Sequence, residues 1–307
     1  MDISVIMSTY KEPEELLRQA IDSILTQTYS NFEFIIILDH PENKDHKRII
    51  EEYGAKDSRI KFFVNDDNIG LAGSLNRAIQ YSSGKYICRM DADDISLPKR
   101  LERQKKYLEN GDFDLIGGIT QVIDDNGEIL YSIRHVPDKQ EEILKALCYN
   151  QVLAHPTWFG RRNVFEDLKG YREIPLCEDS DLTLRAALKG YRLSNLNETV
   201  LKYRMSSKSV SRNNLFEQYL YLRYITAEYR KGRVADIAKA KTYVASKNKE
   251  STAVRYAKAN VRFNKLLNDL EEKKFMAFLV DGMKLVFASR YYLDKIYRLA
   301  RVSMCKK

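Results

Sequence analysis

At 307 residues, 44% of them hydrophobic, the chain is long enough for one large domain or two smaller ones and apolar enough to bury a sizeable core. Its formal net charge of +8 conceals a split: residues 204–307 carry 24 Lys and Arg against 9 Asp and Glu, whereas residues 1–203 carry 27 against 34. No uncharged apolar run approaches the roughly 18–20 residues a bilayer span requires, and four scattered cysteines without C-x-x-C spacing argue against a disulfide framework or a zinc site and fit a reducing compartment.

Asp2 and an apolar run, rather than a basic segment, follow Met1, which argues against a signal peptide. Residues 3–7 read as a buried strand. Pro13 then opens a helix whose Leu17, Ala20, Ile21, Ile24 and Leu25 share one face. Residues 32–38 form a second strand, apolar almost throughout, as in a parallel sheet covered on both faces. A polar helix over 44–53, a strand over 60–64, a helix over 71–81 and a strand over 85–90 continue the alternation. This β-α-β-α-β-α-β order predicts an α/β fold with a mostly parallel, doubly wound sheet. Ligands of such sheets bind outside the carboxyl ends of the strands. The polar segments 8–12, 39–42, 66–70 and 91–94 are therefore expected to converge on one crevice.

Beyond Pro98 the pattern predicts a charged helix to about Glu109 and short strands over 113–119, 121–123 and 129–131, the last pair turning at Asp125-Asn126-Gly127. Helices are expected over 138–147 and 180–189 and a strand over 200–203. After about Arg204 the chain turns to long, Tyr- and Lys/Arg-rich helical stretches without proline, over 215–231, 234–246, 252–270 and 274–299. Residues 1–205 and 206–307 thus read as two regions, the second basic and helical.

Two clusters carry chemistry. Arg89-Met90-Asp91-Ala92-Asp93-Asp94 puts three carboxylates within four residues at a strand end, where they repel one another unless a cation offsets them. Hard divalent ions prefer such oxygen ligands, and a Mg²⁺ or Mn²⁺ there can hold a diphosphate; an acidic surface turn is the plainer alternative. Glu178-Asp179 opens a helix. It can serve either as a proton acceptor for a hydroxyl nucleophile or as a complement to the helix dipole.

The residues Ile3 to Glu12, Asp39, Asn68-Ile69-Gly70 with Leu75-Asn76, Asp91-Ala92-Asp93-Asp94, His155-Pro156 and Glu178-Asp179 occur in the order seen in bacterial family 2 glycosyltransferases, which the chain resembles over residues 1–205. The resemblance implies the nucleotide-sugar-binding GT-A fold, a Rossmann-like sheet with helices on both faces. It implies Asp93 as the most direct metal ligand, with Asp91 facing the ribose or a metal-bound water. Asp94 tunes the metal, contacts the donor sugar or simply makes the turn. Thr9, Tyr10 and Glu12 match residues that contact base and ribose, and Asp39 one that accepts the uracil imide N–H. Asn68, Gly70, Asn76 and Ala92 fall in the nucleotide-binding set. By the same resemblance Asp179 is the general base, with Glu178 beside it, so that attack from the opposite face inverts the anomeric centre. His155 lies near donor or acceptor or is structural, and Trp158 stacks on a sugar or packs in the core. One departure stands out: many relatives carry Arg where this chain has Leu75, leaving Arg77 or Arg89 to replace it.

The resemblance implies an inverting, Mn²⁺- or Mg²⁺-dependent transfer from a UDP-sugar to a glycan or polyprenyl-diphosphate-linked acceptor in O-antigen, capsule or exopolysaccharide synthesis. The expected setting is the bacterial cytoplasm or the inner face of its membrane. Phe275, Leu279, Met283 and Val286, with Lys284, Arg290, Lys295, Arg298 and Arg301 interspersed, suit a helix lying on an anionic bilayer or packing on the domain or a second subunit as a homodimer. Two other readings compete: a nucleic-acid-binding protein using the basic region, for which no reader motif is present and no nucleic-acid partner is expected, and a nucleotidyltransferase, which would carry a Gly-rich basic loop where residues 8–12 stand.

Overall fold

The computed structural model describes residues 1–205, 214–271, 284–285 and 288–305, with side chains placed outside 267–271. Its first half alternates as expected: β1 (Ile3–Thr9), α1 (Glu14–Leu25), β2 (Phe32–Leu38), α2 (Lys44–Gly54), β3 (Ile60–Val64), α3 (Gly70–Tyr81) and β4 (Tyr86–Asp91). β1 pairs in parallel with β2 and β4, and β2 with β3. Strand residues alternate between faces. Ile3, Val5 and Met7 join Phe34 and Ile36 in one buried layer, whereas Ile6, Ile35 and Ile37 lie in the other. Each such side chain, fully removed from water, contributes roughly 1.5–3 kcal/mol.

The chain continues through β5 (Ile95–Ser96), α4 (Arg100–Gly111), β6 (Leu115–Ile123), β7 (Ile129–Ser132), α5 (Gln140–Leu147), β8 (Phe159–Arg161), α6 (Arg162–Asp167), α7 (Glu178–Leu188) and β9 (Leu193–Arg204). The sheet order is β3-β2-β1-β4-β8-β6-β9-β5, with β7 on β6. The direction of winding reverses between β1 and β4, so their carboxyl ends flank the switch-point crevice. The expected strands over 113–119 and 121–123 are one strand, β6, whose register against β9 shifts on either side of Ile119. The three-residue β8 has no sequence signature and runs antiparallel between β4 and β6.

Among the described residues four further helices follow: α8 (Leu215–Tyr229), α9 (Ile237–Lys247), α10 (Glu250–Glu271) and α11 (Arg290–Met304). They share a hydrophobic cluster with the sheet: Leu75 and Ile87 belong to the same buried set as Phe216, Tyr219, Tyr256 and Tyr292. Of the expected helix over 274–299, residues 274–283 and 286–287 lie outside the described residues, and with them Phe275, Leu279, Met283 and Val286; α11 starts at Arg290, with Ser289 as its N-cap. Arg298 faces inward with 5% of its surface exposed and Lys295 is half-buried, so neither lies on an outward basic face; Arg290 and Arg301 are exposed.

Candidate active site

Alternation along β4 puts Arg89 and Asp91 on one face and Met90 on the other. The buried Arg89 guanidinium forms an ion pair with Asp91 and leaves its Nε without a partner. Asp91, Asp93 and Asp94 each offer a carboxylate oxygen within 4.8 Å of the others. Asp94 is fully buried: its Oδ1 accepts the Arg204 backbone N–H at 2.8 Å, while Oδ2 is buried without a partner. Burial, and then the charge of Asp91, raise Asp93 and Asp94 well above the usual carboxylate range. An all-oxygen donor set with a buried, orphaned carboxylate oxygen fits a hard divalent ion. Ala92 is buried in the turn, and full burial keeps Asp94 from facing a solvent-borne sugar directly.

Arg204 is not the solvated strand end that a terminal position suggests. It is 3% exposed, and its guanidinium donates to the carbonyls of Asp93, Asp124 and Asp125 and to Gln19 Oε1.

Across the switch point, Thr9 Oγ1 donates to Glu12 Oε2 at 2.7 Å, and the Tyr10 N–H donates to the same oxygen at 2.8 Å. His46, from α2, backs this turn: Nδ1 lies 2.9 Å from Thr9 Oγ1 and Nε2 donates to the Glu12 carbonyl at 2.8 Å. Tyr10 is exposed and tilts against His40, offering a ring face at the crevice rim. Asp39 is buried, and its Oδ1 accepts Asn65 Nδ2 at 2.6 Å and the Ile69 N–H at 2.9 Å. That oxygen therefore anchors the loop before α3. Asn68 Oδ1 accepts the Gly70 N–H at 3.2 Å, and Gly70 has φ +74°, the left-handed region that favours glycine at this entry into α3.

The Asn76 side chain is tied to the backbone of Tyr171. Its Nδ2 donates to the Tyr171 carbonyl at 2.9 Å and its Oδ1 accepts the Tyr171 N–H at 2.7 Å, so both ends of the amide are spent on one backbone unit. Leu75 is in the core, and Arg77 Nη1 is spent on the Val64 carbonyl and Asn65 Oδ1. Of the two arginines considered in place of the relatives' Arg, only Arg89 stands among the site carboxylates.

Glu178 and Asp179 open α7, preceded by Leu176 at φ +63°, a left-handed conformation that costs a non-glycine residue roughly 1–3 kcal/mol and marks this turn as constrained. Asp179 Oδ1 accepts the Ser180 N–H at 2.6 Å. Burial raises Asp179; burial and then the Asp179 charge push Glu178 up to about 7. The Arg89 charge lowers both groups and Asp93 as well, so one interior cation serves the two acidic clusters. His155 is buried with Nε2 2.8 Å from the Tyr171 hydroxyl, and burial pushes its ring far below its ordinary value, leaving it neutral. Trp158 is fully buried, parallel to Tyr171 at 6.2 Å, with Nε1 donating to the Leu153 carbonyl. It is core, with no face left for a sugar.

Residues 4–169 match the model of the family described as Glycosyl transferase family 2. The chain belongs to this family. The O-antigen biosynthesis glycosyltransferase WbnJ of Escherichia coli is 35% identical over 216 residues, 69% of this chain and 83% of its own. WfgD of the same species, a UDP-Glc:alpha-D-GlcNAc-diphosphoundecaprenol beta-1,3-glucosyltransferase, is 29% identical over 220 residues, 70% of this chain and 81% of its own. The mannosyltransferase PcManGT of Pyrobaculum calidifontis, solved with GDP-Man and Mn²⁺, superposes with a TM-score of 0.61 at 17% identity, covering 99% of this chain and 85% of its own, and establishes the shared GT-A-type fold.

This glycosyltransferase therefore has an α/β catalytic fold followed by helices, as the resemblance implied, and the match favours neither the nucleic-acid-binding nor the nucleotidyltransferase reading. Sequence reading missed His46 and took Arg204 for a solvated strand end or a phosphate contact. The one signal for His46 was its place on the buried stripe of α2 with Ile49 and Ile50. A cavity of about 190 Å³ lies where Gln151 and Asp179 meet α8, α10 and α11. A larger open groove of about 460 Å³, lined by Met1, Lys85, Arg161 and Arg162, lies at the opposite ends of the strands, away from every acidic residue of the site.

Proposed function

We propose that this glycosyltransferase is an inverting, metal-dependent enzyme that moves a sugar from a UDP-sugar to a glycan or polyprenyl-diphosphate-linked acceptor in cell-surface polysaccharide synthesis. The observation that carries the reading is the pairing of two acidic clusters, Asp91-Ala92-Asp93-Asp94 and Glu178-Asp179, around the buried Arg89. WbnJ and WfgD support the pathway class, and WfgD the UDP-sugar and the lipid-diphosphate acceptor; PcManGT, solved with GDP-Man and Mn²⁺, supports a divalent ion.

In this reading Asp93 and Asp91 hold Mn²⁺ or Mg²⁺, which when bound offsets the charge that develops on the departing diphosphate. Thr9, Tyr10 and Glu12 form the base and ribose side, with Asp39, Asn68 and Gly70 shaping the adjoining loop. Asp179 takes the proton of the attacking acceptor hydroxyl. Glu178, neutral over part of the working range, limits repulsion beside it. Attack by a hydroxyl held at Asp179, opposite the leaving group, inverts the anomeric carbon. Residues 1–205 supply donor binding and the base, and residues 206–307 serve the acceptor side. None of the described helices is long and apolar enough to cross a membrane, and we place the enzyme in the cytoplasm, meeting its acceptor at the inner membrane face.

The test is thermal stabilisation by UDP, dTDP, GDP and CDP, each with Mn²⁺ and with EDTA. A ligand at about 100 times its Kd adds roughly 2.7 kcal/mol. A UDP response that requires metal supports the reading. A GDP-only response replaces the donor class, and no response to any nucleotide overturns it.

A further inference from the structure

The cavity beside Asp179 has an electrostatic character that the donor chemistry does not use. Gln151, Asp179 and Ser180 line it from the catalytic part, and Tyr256, Lys295 and Arg298 line it from the C-terminal helices. Arg298 is 5% exposed, and its one described hydrogen bond is donated to the Thr226 hydroxyl at 2.6 Å. Lys295 Nζ donates to Asn260 Oδ1 at 3.2 Å and lies 5.1 Å from the Tyr292 ring centroid. Among the described residues neither cation is within ion-pair distance of a carboxylate. Asp294, whose charge Arg298 feels, receives the Tyr219 hydroxyl at 2.6 Å. Tyr256 is 1% exposed, and its hydroxyl is buried with no partner.

Two inward-facing cations that form no ion pair among the described residues, with an orphaned hydroxyl beside them, are costly to bury and leave donors free for an anion. Burial alone depresses the Lys295 ammonium, as expected of a charge not yet paired. Oxyanions such as phosphate match this donor set: Arg and Lys supply charge-assisted bonds and the Tyr hydroxyl a neutral one.

We propose that this cavity is an acceptor subsite in which Lys295, Arg298 and Tyr256 bind the phosphate or diphosphate of a phosphorylated sugar acceptor while its hydroxyl reaches Asp179. The proposal rests on Asp179 acting as the base. The shared chemistry is a sugar carrying phosphate; the source is either a lipid-linked diphosphate or a soluble sugar phosphate.

The experiment titrates the full chain with inorganic pyrophosphate in EDTA, by calorimetry. In wild type, binding is expected. Losing the charge-assisted bonds in Lys295→Gln/Arg298→Gln is expected to weaken it by about tenfold or more. Tyr256→Phe, which removes only a buried hydroxyl and preserves packing, is expected to weaken it about threefold. Asp93→Asn, on the donor side, is expected to leave it within about twofold of wild type. Wild type that does not bind, or binding lost in Asp93→Asn and kept in the other two variants, overturns the proposal. Flotation with phosphatidylcholine vesicles doped with undecaprenyl diphosphate separates the sources. Recruitment that depends on Lys295 and Arg298 supports a lipid-linked acceptor, pyrophosphate binding without recruitment supports a soluble one, and equal recruitment of the double variant overturns the assignment. A failed metal-dependent UDP response strikes the proposed function instead, so the two failures are told apart.

Discussion

Arg204 reaches across 110 positions of sequence to fasten Asp94: its backbone N–H donates to Asp94 Oδ1, and its side chain to the Asp93 carbonyl. The acidic turn is thereby pinned from the end of β9, and its carboxylates stay close despite their mutual repulsion.

Arg204→Gln is expected to cost about 3 kcal/mol or more, because it leaves the carbonyls of Asp93, Asp124 and Asp125 without their charged donor. The urea midpoint should fall with an unchanged slope, and stabilisation by Mn²⁺ with UDP should shrink. A variant as stable as wild type would remove the clasp from this account.

Asp93 carries a charge that the folded state disfavours. Its folded pKa is raised by burial and by Asp91. The neutral carboxyl is favoured in the folded state, so its stabilising contribution is complete below the unfolded value near 4 and is lost as pH rises through the raised folded value. Asp93→Asn should therefore melt higher than wild type in EDTA at about pH 8, with the gap closing toward about pH 4. A gap that is constant with pH would show that charge is not the cause.

Asp179→Asn keeps the volume and removes the base. Transfer is expected to fall by roughly 10²–10⁴-fold while UDP stabilisation is retained. Because burial raises Asp179, wild-type transfer should be lost as pH falls at a higher pH than an ordinary aspartate would give. Retained transfer in Asp179→Asn assigns the base elsewhere.

Asn76→Ala strips both hydrogen bonds from the Tyr171 backbone and is expected to cost about 1–3 kcal/mol. Gly170→Ala should be worse, since an added Cβ would sit 2.2 Å from Asn76 Oδ1 in a residue at φ +67°. If Asn76 has only this structural duty, Asn76→Ala leaves nucleotide stabilisation unchanged; loss of that response at an unaltered melting temperature would return Asn76 to the nucleotide.

The elements β1 to β4 were legible because their signals are local. The apolar runs of β1 and β2 depend on neighbours in sequence. The convergence of Thr9, Asp39 and Asp91 at one crevice followed from the alternation alone. What was illegible depends on distant partners. Nothing near Asn76 in sequence announces its bond to Tyr171, 95 positions away, which takes both its amide ends. Arg204 looks like a solvated terminus until Asp94 and Gln19 enclose it. Trp158 offered a sugar platform as readily as a core anchor, and only its stacking with Tyr171 decides. Lys295 and Arg298 sit among outward basic residues on the same helix, and nothing in their spacing says that they turn inward.

The continuous hydrophobic cluster joining Leu75 and Ile87 to Phe216, Tyr256 and Tyr292 bears on how such enzymes diversify. The strand ends and the helices that face them can be exchanged only along a seam that both sides must recognise. A chimaera that takes residues 206–307 from a relative must also carry over the receiving residues Tyr171, Ile174 and Cys177, which belong to that cluster. Swaps that ignore the seam should yield misfolded hybrids, whereas swaps that respect it should fold.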